Sequence, residues 1–377
     1  MINTIVNGDS LEVLKSMDSE SVDCIFADPP YWMQTEGVLE RTNGTRFDGC
    51  GDDWDKFTSY DHYKKFTYEW LMECQRVLKK DGSIWVIGSM QCIYTVGAVM
   101  QELGFWFLND VIWHKKNPTP NFRGTRLNNA HETLIWATKS KNAKYTFNYK
   151  TAKEINRDTV SVQEYDKGVR KQLGSVWRIA VCAGNERLKD DRGEKLHSTQ
   201  KPEELLARVI NISTKLGDLV LDPFAGSMTT GAVAKRCGRN YIMIEREQKY
   251  CDYGKRRLEN VTPEIGEIEQ AAYDVKPPRA TITSMMDKGY FQLGEPFFIK
   301  GEDVGVILAE RGKLFFMQTG EHLDIHTAAA RFSNSKGDRL NGFDYWQVKR
   351  DGQVIGIDRI RKAYREKELN FKEKELF

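Results

Sequence analysis

Hydrophobic positions in this chain fall in short unbroken runs, set apart by stretches whose apolar residues recur at helical spacing. Asn3–Asn7 and Val22–Ala27 read as strands, with a helix over Ser10–Met17 between them. Tyr60–Leu78 has helical spacing, Ser83–Gly88 is a further apolar strand after the Asp81-Gly82 turn, Ile93–Leu103 is helical and Trp106–Trp113 is a strand. Unbroken apolar runs belong to strands covered on both faces. Strands alternating with helices predict an α/β fold, a mostly parallel sheet with helices on both sides.

Two stretches interrupt the alternation. Residues 33–57 are polar and glycine-rich without a clear period, and a loop of that length is expected to be a mobile lid over a substrate. Residues 114–175 read as irregular, with basic and amide side chains interleaved with aromatics, a pattern suited to touching phosphates and base edges. The βαβ pattern returns over 201–260. Residues 261–280, with Pro263, Pro277 and Pro278, read as a linker. Beyond it, short strands at Phe297–Ile299, Val304–Leu308 and Leu314–Met317, a helix at Ile325–Phe332, a hairpin across Arg350-Asp351-Gly352 and a helix at Asp358–Lys367 predict a small α+β domain over 281–377. No internal repeat is visible.

Composition narrows the class. The chain has 377 residues, 40% hydrophobic and 29% charged, as in soluble globular proteins. No apolar run approaches the ~18 residues of a membrane span, and the N-terminus lacks a signal-peptide pattern, so a cytoplasmic, nucleoid-associated protein is expected. A net charge of only +2 means that any nucleic acid is held by local basic clusters. The seven cysteines show no CxxC pair. His131-Glu132 begins like a metalloprotease helix, but Ile135 stands where a second histidine is needed, so no metal site is expected.

The first candidate chemistry is Asp28-Pro29-Pro30-Tyr31, placed just past the Val22–Ala27 strand, where α/β enzymes bind ligands. Two prolines make a stiff turn without N–H groups. It presents a carboxylate, carbonyl oxygens and an aromatic face. That set suits a flat, weakly nucleophilic amine such as the exocyclic amino group of adenine. Asp28 and the Pro29 carbonyl would accept its hydrogens while Tyr31 stacks on a base taken out of the duplex.

The second is Leu219–Gly231, LVLDPFAGSMTTG: strand, tight turn, helix. Gly226 permits close backbone approach, and Glu245, about 20 residues on, suits ribose hydroxyls. There is no phosphate-gripping lysine and no full GxGxxG, so a nucleoside ligand such as S-adenosyl-L-methionine fits better than a dinucleotide. His197-Ser198-Thr199-Gln200-Lys201-Pro202, ahead of a helix at Glu203–Ser213, suits helix capping or contact with the ligand's methionine carboxylate or ribose.

Together these residues resemble the β group of DNA amino-methyltransferases, in which the DPPY motif, a target-recognition segment and the S-adenosylmethionine loop follow in that order. Asp9 of Asn7-Gly8-Asp9 and Glu245 of Ile244–Glu247 also match. Asn117–Arg126 and Asn129–Trp136 resemble the corresponding segment of the HinfI and CcrM type of adenine methyltransferase, which modifies the adenine of GANTC. Asn341-Gly342-Phe343-Asp344-Tyr345-Trp346 resembles the motif near the end of that family's C-terminal domain.

The resemblance implies a class I methyltransferase domain over 1–260 with a Rossmann-like fold, and a DNA-binding domain at the C-terminus. It implies catalysis at Asp28, Pro29, Pro30 and Tyr31. The cofactor pocket is expected from Asp9, Ser198, Thr199, Lys201, Asp222, Phe224, Gly226 and Glu245. DNA contacts are expected from Lys116, Asn117, Arg123, Arg126, Asn129 and His131, and from Asn341 and Trp346 in the C-terminal domain. Double-stranded DNA, a second copy of the chain in a homodimer and a cognate restriction endonuclease are the implied partners.

The chain departs from the family at Met228, where a glycine is usual, and a side chain there is expected to crowd the methionine moiety. Two alternatives stay open: methylation of the cytosine N4 amino group, which shares this chemistry, and a non-catalytic DNA-binding protein with a decayed cofactor site. Methylation at cytosine C5 needs a Pro-Cys pair, which the chain lacks.

Overall fold

The computed structural model describes residues 2–32, 39–40, 46–47, 55–121, 124–332 and 339–372. Most of the polar loop expected to act as a lid, and Arg123, lie outside the described residues. Two compact units divide between Asp274 and Val275.

In the first unit the strands are β1 (Thr4–Asn7), β2 (Val22–Ala27), the two-residue β3 (Leu39–Glu40) and β4 (Arg46–Phe47), β5 (Leu78–Gly88), β6 (Trp106–Lys115), β7 (His131–Thr138), β8 (Val176–Ile179), β9 (Leu219–Asp222) and β10 (Asn240–Glu245). The helices are α1 (Ser10–Ser16), α2 (Tyr60–Val77), α3 (Ile93–Glu102), α4 (Tyr149–Glu154), α5 (Val162–Asp166), α6 (Glu203–Ser213), α7 (Thr229–Arg236) and α8 (Gln248–Glu259). Eight strands form one sheet in the order β1-β10-β9-β2-β5-β7-β6-β8. All run parallel except β7, which is antiparallel to both of its neighbours.

Alternation along each strand feeds two cores. Phe26, Trp85, Trp136, Val220 and Met243 face one layer with α6 and α7. Ile25, Ile84, Val86, Ile135 and Leu221 face the other with α2 and α3. Burial on both faces is why these strands read as unbroken apolar runs.

The expected irregular region over 114–175 needs correction, because β7 lies within it as an interior strand of the sheet. Polar His131, Glu132 and Thr133 open that strand and mask its apolar core, Leu134–Ala137. Residues 261–274, at the start of the expected linker, are fastened to the first unit. Arg239 donates to the Glu269 carbonyl, and the Asp274 carboxylate accepts from the Lys150 and Thr151 amides at 2.7 and 2.8 Å.

The second unit holds α9 (Ile282–Asp287), β11 (Pro296–Ile299), β12 (Glu302–Leu308), β13 (Leu314–Phe316), β14 (His322–Leu323), α10 (Ile325–Phe332), α11 (Gly342–Tyr345), β15 (Trp346–Arg350), β16 (Gln353–Gly356) and α12 (Ile357–Glu368). Its six strands form an antiparallel sheet in the order β14-β13-β12-β11-β15-β16, the α+β arrangement expected. Asp351 and Gly352, both at positive φ, make the β15–β16 turn. No described helix in either unit is long and apolar enough to cross a membrane.

Candidate active site

Parallel neighbours β1, β10, β9 and β2 end at one edge of the sheet. Asp9 follows β1, Glu245 closes β10, Asp222 closes β9 and Asp28 follows β2. Topology alone therefore gathers four carboxylates that are far apart in the chain.

The turn after β2 is pinned on both sides of Tyr31. Tyr63 on α2 donates its hydroxyl to the Pro30 carbonyl at 3.0 Å. Trp32 sits in the left-handed region at φ +51°, its amide donating to the Asp55 carboxylate at 2.7 Å. Its ring stacks on Tyr63 at 5.7 Å.

Behind this turn lies a buried polar cluster. Asp28 accepts from the Tyr31 hydroxyl on Oδ1 at 2.8 Å and from Lys201 Nζ on Oδ2 at 2.6 Å. The Tyr31 hydroxyl also lies 3.1 Å from Glu132 Oε2, and Lys115 Nζ donates to Glu132 Oε1 at 2.7 Å. Lys201 Nζ is 3.8 Å from Glu132 Oε2 and 5.2 Å from the centre of the Tyr31 ring.

Two carboxylates and two ammonium groups balance, which is what allows so much charge out of water. Burial drives the Asp28 carboxyl above its ordinary range, with Lys201 opposing. Burial would raise Glu132 too, but Lys201 and Lys115 outweigh it and hold that carboxyl low. Burial pulls the Lys201 ammonium down, but Asp28 and Glu132 overcome it and keep it charged. Lys201 was expected to serve the cofactor; the structure sets it on Asp28.

The loop after β9 is latched to itself. Asp222 accepts from the Phe224 amide at 2.9 Å and from the Thr230 hydroxyl at 2.6 Å. No cation among the described residues bonds to it, and burial pushes its carboxyl up to about 7. Glu245 takes the Gly226 and Glu247 amides, one on each oxygen, both at 2.8 Å. Each oxygen keeps a lone pair for a further donor such as a ribose hydroxyl. Gly226 is at φ +50°, and a Cβ there would meet His197 Nε2 at 2.9 Å, so only glycine closes this cradle. Phe224 lies edge-on to Trp70 at 5.2 Å and forms an apolar wall. These features fit a nucleoside with hydroxyls.

Both loops open on one cavity of about 300 Å³, lined by Asp28–Tyr31 on one side and by Asp9, Asp222–Ser227 and Glu245 on the other. His197, Thr199, Gln200 and Lys201 line it as well, whereas Ser198 does not.

Met228 needs a further correction, since it is outside the lining and fully buried. It caps α7 in the left-handed conformation, φ +59°, which turns its side chain away. A Cβ at Gly254 would meet Met228 Cγ at 2.3 Å, so a glycine on α8 provides the room. The side chain therefore lies outside the cavity in which it is expected to crowd the methionine moiety.

Residues 22–256 match the DNA methylase family. The chain belongs to it. The methylase is 48% identical to the Type II methyltransferase M.HinfI of Haemophilus influenzae over 96% of its own length and 97% of that protein. It is 39% identical to the Type II methyltransferase M2.DpnII of Streptococcus pneumoniae, over 68% of this chain and 89% of that one. The solved PvuII DNA methyltransferase, cytosine-N4-specific, is 21% identical, covers 72% of this chain with 90% of its own, and superposes with a TM-score of 0.51; it shares the fold. The chain is a DNA methyltransferase.

The residues expected to touch DNA divide into two groups. Lys116, Asn117, Arg126, Asn129 and His131 are exposed on or beside the β6–β7 connection of the methylase. Asn117 also braces that connection, accepting from the Val181 amide at 2.9 Å. In the second unit Asn341 is exposed, but Trp346 is 0% exposed and cannot reach DNA. Its indole donates to the Ile325 carbonyl at 2.9 Å, and Gly342 packs so tightly on the same carbonyl that a Cβ would come within 2.3 Å. The Asn-Gly-aromatic motif is thus largely a core device.

Glu132 and Lys115 were not anticipated. Their one sequence signal is a lone carboxylate opening an apolar strand. Because β7 runs backwards, its first residues reach the edge where the other strands end.

Proposed function

We propose that this methylase modifies the N6 amino group of adenine within GANTC in duplex DNA. Its methyl donor is S-adenosyl-L-methionine. One observation carries the reading: the Asp28–Tyr31 turn and the Asp222–Glu245 pocket share a single cavity. An exocyclic ring amine is a poor nucleophile because its lone pair is delocalised. Two acceptors on its hydrogens draw the nitrogen toward tetrahedral geometry and expose the pair.

The Asp28 carboxylate and the Pro29 carbonyl are those acceptors. Tyr63 already occupies the Pro30 carbonyl, while no hydrogen bond to the Pro29 carbonyl occurs among the described residues. The Tyr31 ring forms the wall against which the base lies. Asp9, Thr199, Asp222, Phe224, Gly226 and Glu245 would hold the donor, which supplies an electrophilic sulfonium methyl. Orientation and fixed charges supply most of the acceleration. A cavity of this size admits one base and not a duplex, so the adenine is flipped out of the helix.

Identity to M.HinfI across nearly the whole chain supports the GANTC target, and the Type II designation of both relatives supports a role beside a restriction endonuclease. Lys116, Asn117, Arg126, Asn129 and His131 would read the site, with Arg123 and, from the C-terminal unit, Asn341. We assign a homodimer as the working state. The position of Met228, turned from the cavity, removes the ground for a decayed cofactor site.

Radiolabelled methyl transfer to short duplexes with GANTC or its scrambled sequence, followed by nucleoside mass spectrometry, tests the reading. N6-methyladenine in the GANTC duplex alone is expected. N4-methylcytosine, equal labelling of both duplexes or no labelling would overturn it, and sedimentation of the same protein tests the dimer.

A further inference from the structure

Both oxygens of Asp28 are engaged in this structure, one by the Tyr31 hydroxyl and one by Lys201. A carboxylate whose charge is drawn off by an ammonium and a phenol is a weakened acceptor for a third donor. Yet the proposed reaction asks Asp28 to pull strongly on the target amine. The same two donors have a second acceptor within reach. Glu132 Oε2 lies 3.1 Å from the Tyr31 oxygen and 3.8 Å from Lys201 Nζ. A phenol carries one proton, so it favours one carboxylate at a time. Lysine needs a shift of only about 1 Å to reach hydrogen-bond distance to Glu132.

Glu132 is itself prepared for this. Its other oxygen is held by Lys115 at 2.7 Å, which aims Oε2 at Tyr31 and Lys201. Its side chain is 11% exposed, so water competes little for it. No other part of the proposed chemistry uses this carboxylate.

We infer that Glu132 is a positioning residue that receives Lys201 and the Tyr31 hydroxyl when the target amine docks, releasing Asp28 to act as the amine's acceptor. The inference rests on the reading of Asp28 given above. It makes Glu132, Lys201 and Asp28 one coupled unit, with Lys115 as its anchor. Glu132 touches neither the base nor the donor.

The test is single-turnover methyl transfer by the full-length protein to a GANTC duplex, alongside calorimetry with the donor and thermal melting. Glu132→Gln keeps the shape but removes the charge. Its transfer rate should fall on the order of 30-fold, with donor and duplex dissociation constants within about twofold of the parent. Glu132→Asp, which keeps the charge, should recover to within about tenfold of the parent rate. In a Lys201→Met background, where Asp28 has no ammonium to release, adding Glu132→Gln should cost less than about threefold.

A parent-like rate in Glu132→Gln would overturn the inference. So would full additivity with Lys201→Met, or a loss that tracks melting temperature and donor affinity. If the parent enzyme itself fails to label the duplex, the proposed function falls instead, and the two failures are told apart by that control.

Discussion

Two aspartate–proline pairs sit side by side in this protein, with contrasting surroundings. Asp28-Pro29 follows β2 and Asp222-Pro223 closes β9, on adjacent parallel strands in register at Ile25 and Leu221. Each aspartate accepts two hydrogen bonds. Asp222 takes both locally, from the Phe224 amide in its own loop and the Thr230 hydroxyl in the first turn of α7, and neither donor is charged. Asp28 takes one from its own turn and one from Lys201, 173 residues away. Neutral partners leave burial in control of Asp222, whose carboxyl rises to about 7. The ammonium beside Asp28 works against burial. The same dipeptide therefore becomes a loop latch in one place and an ammonium-paired acceptor in the other.

The largest expected effect separates the two by activity. Asp28→Ala should lower methyl transfer at least ~10³-fold, the scale of losing a fixed electrostatic contact to the reacting group. Donor binding, measured by calorimetry, should change less than about threefold. Retained turnover would remove Asp28 from its role and leave the two turns functionally alike.

Next in size is the pH response of Asp222. Its folded-state pKa of about 7 lies above the ~3.9 of an unfolded aspartate. The folded protein thus keeps a proton that the unfolded chain has lost, and stability drains away as pH rises between about 4 and 7. From about pH 5 to pH 8 the loss is on the order of 3 kcal/mol. Asp222→Asn cannot titrate. Melting curves should show the variant gaining on the parent as pH rises across that window. A difference independent of pH would mean that Thr230 and the Phe224 amide suffice to keep Asp222 ionised.

A third test concerns how the Asp222 loop enters its helix. Met228→Gly would relieve about 1 kcal/mol of left-handed strain but empty a packed site beside Gly254. Losing a buried side chain of this size costs about 2–5 kcal/mol, so a net loss of about 1–4 kcal/mol in urea unfolding is expected. Donor affinity should stay within about twofold, because the side chain points out of the cavity. Tighter donor binding in the glycine variant would restore the crowding that the geometry denies.

The features legible in the chain were those that lie within one strand–turn–helix unit. Asp28–Tyr31 and Leu219–Gly231 are each short enough for spacing to carry them, and Glu245 belongs to the βαβ unit of the second. Glu132 escaped because its place at the site depends on the reversal of β7, which no local pattern encodes, and Lys115, at the end of β6, shows its role only once Glu132 is set beside it. Trp346 was misassigned on the strength of a motif, although it alternates with Val348 as a core-facing strand residue. Met228 was misjudged because the direction of its side chain follows from a positive φ, and only glycine advertises that in a sequence.

The smallest effect compares the two hydroxyl donors directly. Tyr31→Phe removes the phenol that Asp28 and Glu132 share, while Thr230→Ala removes the hydroxyl that latches Asp222. Each deletes one hydrogen bond to a buried carboxyl, worth about 1–2 kcal/mol. The loss should surface in different measurements. Asp28 keeps Lys201, and Glu132 keeps Lys115, so Tyr31→Phe leaves both carboxylates partnered and the fold nearly as stable as before. What it loosens is the ring, so the loss of about fivefold should appear in kcat/KM for the duplex, carried mainly by KM. Asp222 has no second side-chain donor among the described residues, so Thr230→Ala should lower the melting temperature with kcat nearly unchanged. If both variants shifted the same quantity by the same amount, the partners of the two aspartates would not be what distinguishes them.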